Sequence, residues 1–291
     1  MRQLARAWAS SQTGAATPAL RWPRWLLIAY ATLVIAFLIA PILAIVPLSF
    51  NAGSFLAYPL DGLSLRWYAE VLTTEKWLRA LRNSLIIAVP ATALALMLGT
   101  LAAVGLSQAR IRGKAAITAL LISPMIVPVI ITAVGMYFFF APLGLVNNFA
   151  GLILAHAALG APFVFITVSA TLATFNPSLV RAAASLGAPP LTVFARVVMP
   201  LIAPGLISGG LFAFATSFDE VIVVLFIGGP GQRTLPREIF DGIREHVTPA
   251  ITAVATLLIV LAIVLMGTME ALRRRNERLA GRRGRPPASG A

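Results

Sequence analysis

The sequence predicts an all-α membrane protein of six transmembrane helices with both termini in the cytoplasm, and three observations predict it. Hydrophobic residues make up 59% of the 291 and charged ones 11%, too apolar a mixture for a soluble domain whose surface must stay wet. Six apolar runs lie near Trp25–Ser49, Ser84–Ser107, Ala115–Phe140, Phe149–Leu172, Leu201–Ile227 and Ala250–Met269. Each meets the roughly 20 residues that a hydrocarbon core of about 30 Å requires. The connecting segments differ in basic content. Those placed inside by a cytoplasmic N-terminus hold Arg2, Arg6, Arg21 and Arg24, then Arg110, Arg112 and Lys114, then Arg181 and Arg196, then the arginines from Arg273 to Arg285. The outside segments hold fewer: Arg66, Lys76, Arg79, Arg82, Arg233, Arg237 and Arg244. This asymmetry orients the bundle. The net charge of +13 is therefore a topology signal, not the footprint of a nucleic-acid partner.

Residues 1–23, rich in Ala, Ser, Thr and Arg, read as a disordered cytoplasmic segment, and 24–271 as the transmembrane domain. The first apolar run is about 25 residues, longer than the roughly 7–15 of a signal core, and no small-x-small site follows it, so it reads as an uncleaved anchor. Outside, "DGLSLRWYAEVLTTEKWLRALRNSL" sets Trp67, Tyr68, Leu72, Trp77, Leu78 and Leu81 among charges, a pattern that suits short amphipathic helices at the interface. Span four carries His156. With no cysteine in the chain a disulfide and thiolate chemistry are excluded, with His246 the only other imidazole no metal cluster is expected, and His156 reads as a hydrogen-bonded bundle residue.

Between spans four and five, residues 174–200 form the one substantial inside loop. Asn176 is set to cap a helix with Pro177 at its first position, Gly187 to end it in the left-handed conformation, and Ala188-Pro189-Pro190 to prevent continuation. A second short helix from Leu191 leads through Phe194 to Pro200. In span five, Gly205 and Gly209 have the small-xxx-small spacing of close helix packing, while Pro204 beside them could instead mark a hinge. The second outside segment, "GGPGQRTLPREIFDGIREHV", opens with Gly and Pro and then becomes amphipathic. Residues 272–291 read as a basic, disordered tail in contact with anionic lipid.

The segment "RAAASLGAPPLTVFARVVMPLIAPG" resembles the cytoplasmic signature of permeases of ATP-binding-cassette importers: Glu-Ala-Ala, three residues, Gly-Ala, five residues, Phe, and a Leu-Pro-Leu-type exit. Ala182, Ala183, Gly187, Ala188, Phe194, Pro200, Leu201, Pro204 and Gly205 fall on it. With "SFDEVIV", "GGP", "LPREIF" and "VTPAITAVATLL", the chain is similar to permeases of spermidine/putrescine transporters over nearly its whole length. The resemblance implies a type I importer permease fold in the bacterial inner membrane. It also implies a second, different permease, two cytoplasmic ATPase subunits that carry the ATP and Mg, and a periplasmic binding protein that meets the outside segments near Trp67–Asn83 and Gly229–His246. The helix at about Pro177–Leu186 would dock on the ATPase, Gly187 would allow the turn, and Phe194 would pack the second helix against the membrane base. One residue departs: Arg181 stands where the family has Glu, which implies an acidic or neutral ATPase group opposite it. The signature is shared by permeases for phosphonates and other organic cations, so it does not single out the solute.

The chain itself carries no visible catalytic chemistry. Its only Gly-Lys pair, Gly113-Lys114, is followed by Ala115 and lacks P-loop spacing, and no Ser/His/Asp or paired-His arrangement occurs at motif spacing. No cofactor is expected in it. A secondary transporter, the rival class, would show internal repeats or more intramembrane charges, and no convincing repeat is present.

The most informative residues are Asp219 and Glu220, the only charges between Leu201 and Pro230. An ionised side chain near the midplane costs roughly 2.5–3.5 kcal/mol, so the pair needs a wet cavity, a cation or a ligand. Two readings stand. In one, Asp219 lines the translocation path, Glu220 its edge, and Phe218 adds an aromatic wall, which suits an amine cation through charge pairing and cation–π attraction. In the other, the acids pair with an Arg of the partner permease or hydrogen-bond within the bundle.

Overall fold

The computed structural model describes residues 24–108, 112–174, 176–245 and 247–283. The expected disordered segment 1–23, Arg110 and His246 lie outside these residues. The chain divides at Pro47 into two units. The first carries α1 (Arg24–Leu48), which is apolar on every face, as a membrane span requires.

In the second unit, α2 (Arg66–Thr73) and α3 (Glu75–Gln108) follow a loop organised by the buried Asn51, whose carbonyl accepts the Trp67 Nε1–H at 2.8 Å. Then come α4 (Lys114–Ile126), α5 (Val129–Phe140) and α6 (Phe149–Ala173). α7 (Ser178–Ser185) and α8 (Pro190–Val193) precede α9 (Met199–Phe218), and α10 (Ile222–Ile227), α11 (Leu235–Glu245) and α12 (Pro249–Arg283) complete the unit. Among the described residues there are five long apolar helices, or six if the bent pair α4 and α5 is counted as one span.

Three helices, α3, α6 and α9, form the centre, and small residues bring them together. A Cβ on Gly209 would lie 2.8 Å from Val164 Cα, and one on Gly205 would lie 2.8 Å from Thr167 O, both on α6. The Gly205/Gly209 pair is thus a packing surface. Along α3 the buried groups follow in order. Trp77 and Ala80 join Trp67, Leu235, Ile251 and Val254; Ile87 joins Leu152, Val223, Val224 and Ile227; Ala95 and Ala103 join Val164, Val168, Ile202 and Ala213.

Besides a break in span five, four features depart from the sequence expectations. The Ala115–Phe140 run is not one straight helix: α4 and α5 meet at 106°, because Pro128 forces Val127 into an extended conformation (ψ 132°). Trp77 does not lie on a separate interfacial helix. It sits in the first turn of α3 and, with Trp67, is buried beneath α11 and α12. The second inside helix is not separate either, since α8 runs through a π-helical turn, Phe194–Val198, into α9. Pro200 cannot donate to the preceding turn, and the wide turn, with Met199 N–H donating to Phe194 O, carries the helix across. Finally, α12 continues to Arg283, past the expected domain end at 271, through a run rich in good helix formers such as Ala271, Leu272 and Arg273 to Arg275.

Candidate functional site

Span five is broken where its two acids stand. α9 ends with Asp219 N–H donating to Ala215 O at 3.0 Å, and α10 begins only at Ile222. A break inside an apolar run leaves backbone groups without helical partners, and here side chains supply them. Glu220 Oε1 accepts the Val223 N–H at 3.0 Å, capping the start of α10. Arg237, from α11, donates from Nη1 to Gly228 O at 3.0 Å, just past the end of α10, and to Val224 O at 2.8 Å, which also accepts the Gly228 N–H at 3.0 Å. The Asp219 side chain makes no hydrogen bond or ion pair among the described residues and is exposed.

Asp219, Glu220 and Phe218 line one open cavity of about 720 Å³ between α9 and α12, with Phe212, Thr216 and Leu258 among its other walls. The structure thus brings all three residues expected on the path together. Their surroundings differ: Glu220 spends one carboxylate oxygen on the backbone, whereas the Asp219 carboxylate has no hydrogen-bond partner among the described residues. Phe218 is buried and stacks on Phe214 at 5.5 Å between ring centres. A second cavity, of about 700 Å³ and almost wholly apolar, lies on the α3 side of α9 and extends from Phe214 to Phe194. Nearby, His156 is buried and bonded to Ser217, and no group of three metal-ligating side chains occurs among the described residues.

The signature residues gather at the opposite end of α9. The Asn176 side chain accepts the Ser178 N–H at 3.0 Å, with Pro177 just before the first helical residue. Arg181 and Ala182 are exposed on α7, Ala183 is half-buried, and Gly187 turns the chain with φ +80°. Ala188 follows, half-buried, and the exposed Leu186 and Leu191 flank the turn. Phe194 packs on the group containing Val198 and Ile202, and Pro200 opens α9. From Pro200 to Asp219 the helix spans about 28 Å at about 1.5 Å per residue.

Near the start of α3, α11 is held to it. Asn83 Nδ2 donates to Gly231 O at 3.0 Å and Arg233 O at 2.9 Å, and Leu235 N–H donates to Ser84 Oγ at 2.9 Å. The buried Glu238 carboxylate pairs with Lys76 at 3.0 Å and Arg233 at 3.5 Å.

The profile of the family described as "binding-protein-dependent transport system inner membrane component" matches residues 95–278. The chain belongs to this family. The inner membrane component is 34% identical over 248 residues to the spermidine/putrescine transport system permease protein PotC of Haemophilus influenzae, covering 85% of this chain and 96% of that one. To the putrescine transport system permease protein PotI of Escherichia coli K12 it is 36% identical over 230 residues, with coverages of 77% and 82%. Its fold matches a crystal structure of a bacterial ABC transporter involved in alginate import, with a TM-score of 0.69 at 18% identity and coverages of 86% and 97%. It is therefore a multi-pass transport permease with the importer permease fold.

Sequence reasoning on this permease missed Arg237, Asn83 and Glu238 as site-shaping residues. Arg237 lies inside the quoted "LPREIF" but was visible only as an outside charge, because its partners are backbone carbonyls that no side-chain pattern reveals.

Proposed function

We propose that this permease imports polyamines, in a complex with a second, different permease, two cytoplasmic ATPase subunits and a periplasmic binding protein. The observation that carries the reading is the cavity where Asp219, Glu220 and Phe218 converge, with Asp219 unpaired among the described residues. A carboxylate in an apolar wall attracts an ammonium group, and the Phe212 and Phe218 rings suit the alkyl stem and the cation. The 34% and 36% identities to permeases named for spermidine and putrescine support the same solute class.

The solute reaches the outside segments on the binding protein, and ATP with Mg acts on the separate ATPases. α7 and the Gly187 turn take up the ATPase movement, and α9, continuous from Pro190 through the π turn, carries it toward Asp219. Alternating access then follows from the different stabilities of inward-facing and outward-facing states with and without ATP. Arg181 faces an acidic or neutral ATPase group. Arg181→Glu should weaken ATPase assembly, and unchanged assembly would show that the position is merely exposed.

The test is uptake of labelled putrescine and spermidine by cells expressing the chain with its neighbouring transporter genes, with and without the binding protein. ATP-dependent uptake that requires the binding protein is the expected result. Absent uptake of both amines, with the complex assembled, would assign the permease to another solute.

A further inference from the structure

The short helix α10 is gripped at both ends by side chains from different parts of the chain. Glu220 accepts from Val223 N–H at its start, and Arg237, on α11, donates to Val224 O and, just past its end, to Gly228 O. The helix has six residues, of which Val223, Val224 and Ile227 are fully buried against α3, α5 and α6. The guanidinium is largely buried, at 15% exposure, and Asp241, one turn on, lies 3.8 Å from its Nε. Gly228 leaves no slack. A Cβ there would lie 2.8 Å from Val224 O, the carbonyl that receives Arg237.

We propose that Arg237 is the positioning residue of the acidic site: it fixes α10, and α10 fixes the Glu220 carboxylate at the cavity edge beside Asp219. The chemistry favours this role. A guanidinium is always charged, and hydrogen bonds to charged groups are stronger than neutral ones, so the two carbonyl bonds resist release. α10 is a single rigid unit about 9 Å long at about 1.5 Å per residue. A displacement of α11 on the outside therefore reaches Glu220 without passing through a flexible segment. This makes α11, the amphipathic outside helix, a lever on the site in which the solute is handled. The inference rests on the reading of Asp219 and Glu220 as part of the passage.

The test uses the whole transporter in vesicles and exploits the absence of native cysteine in this chain. Thr216→Cys places one thiol on the cavity wall, and its rate of modification by an uncharged thiol reagent reports the shape of the site. Arg237→Met on this background should lower the maximal uptake rate by about tenfold, in line with lost charge-assisted bonds, at unchanged KM for the loaded binding protein. It should also change the modification rate several-fold, and Arg237→Lys should recover part of both. Gly228→Ala, which displaces the Val224 carbonyl and keeps Arg237, should act in the same direction. A wild-type rate in Arg237→Met, an effect on KM alone, or an unaltered modification rate would overturn the proposal. Glu220→Gln, which keeps a capping oxygen and loses the charge, separates the two readings. Lost uptake at an unaltered modification rate supports the charged passage with the cap intact. Full uptake in Glu220→Gln, with altered modification in Glu220→Ala and Arg237→Met, would retain the positioning role and remove the Glu220 charge from the passage.

Discussion

His156 Nδ1 lies 2.8 Å from Ser217 Oγ, tying α6 to the last turn of α9 two residues before Asp219. Both groups are buried, at 1% and 6% exposure, so the bond pins the helix just where it is about to break. Interhelical hydrogen bonds in membrane bundles average about 0.6 kcal/mol and reach about 1.7. Ser217→Ala, which removes the bond with little change in volume, should destabilise the permease within that range in a detergent unfolding titration. An effect near zero would mean that packing alone holds α9 against α6.

Close packing of α9 should tolerate far less. A Cβ on Gly209 meets Thr167 Oγ1 and, at 2.8 Å, the Val164 Cα, which belongs to the packed α6 backbone and cannot swing aside. Gly209→Ala should therefore cost about 1–3 kcal/mol, the usual range for overpacking. Gly105→Ala on α3, with no atom near the added Cβ, is the control and should be neutral or slightly stabilising. Equal thermal stability of the two variants would contradict the packing account.

Gly187 makes a different demand. Its φ of +80° disfavours any side chain, although space around it is open, so Gly187→Ala costs about 1–2 kcal/mol in local conformation alone. Transport-coupled ATP hydrolysis should fall while the amount of permease in the membrane is unchanged. Gly187→Asn should recover much of it, because Asn visits the left-handed region more readily. Wild-type coupling in Gly187→Ala would remove the turn from the transmission path.

The bundle was legible because transmembrane helices are written in composition: each apolar run became helix, and the small residues at 205 and 209 became contact points. The bend at Pro128 was visible as a residue and lost in the run, since Ala115–Phe140 satisfies the length criterion whether or not it is straight. The break after Phe218 was not legible. "SFDEVIVV" contains no Gly or Pro, and the partner that closes α10, Arg237, comes from a separate helix 13 residues after Val224. Trp67 and Trp77 carry the signature of interface anchors, but Leu235 and Ile251 cover them, and only tertiary structure supplies that cover. Asp219 and Glu220 were found as a pair because charge in an apolar run is costly, whereas their separate roles depend on the backbone geometry of the break.

In the proposed passage Asp219, unpaired among the described residues, offers its carboxylate to a cationic solute. This role is tested most directly by the uptake of labelled spermidine with wild type and Asp219→Asn at matched membrane levels, with ATPase assembly checked in both. Asn keeps the size and polarity and removes the charge. Uptake is expected to fall by at least about tenfold, the factor for roughly 1.4 kcal/mol of lost charge interaction, while the complex stays intact. Wild-type uptake in Asp219→Asn would contradict this role and leave solute selection to the binding protein.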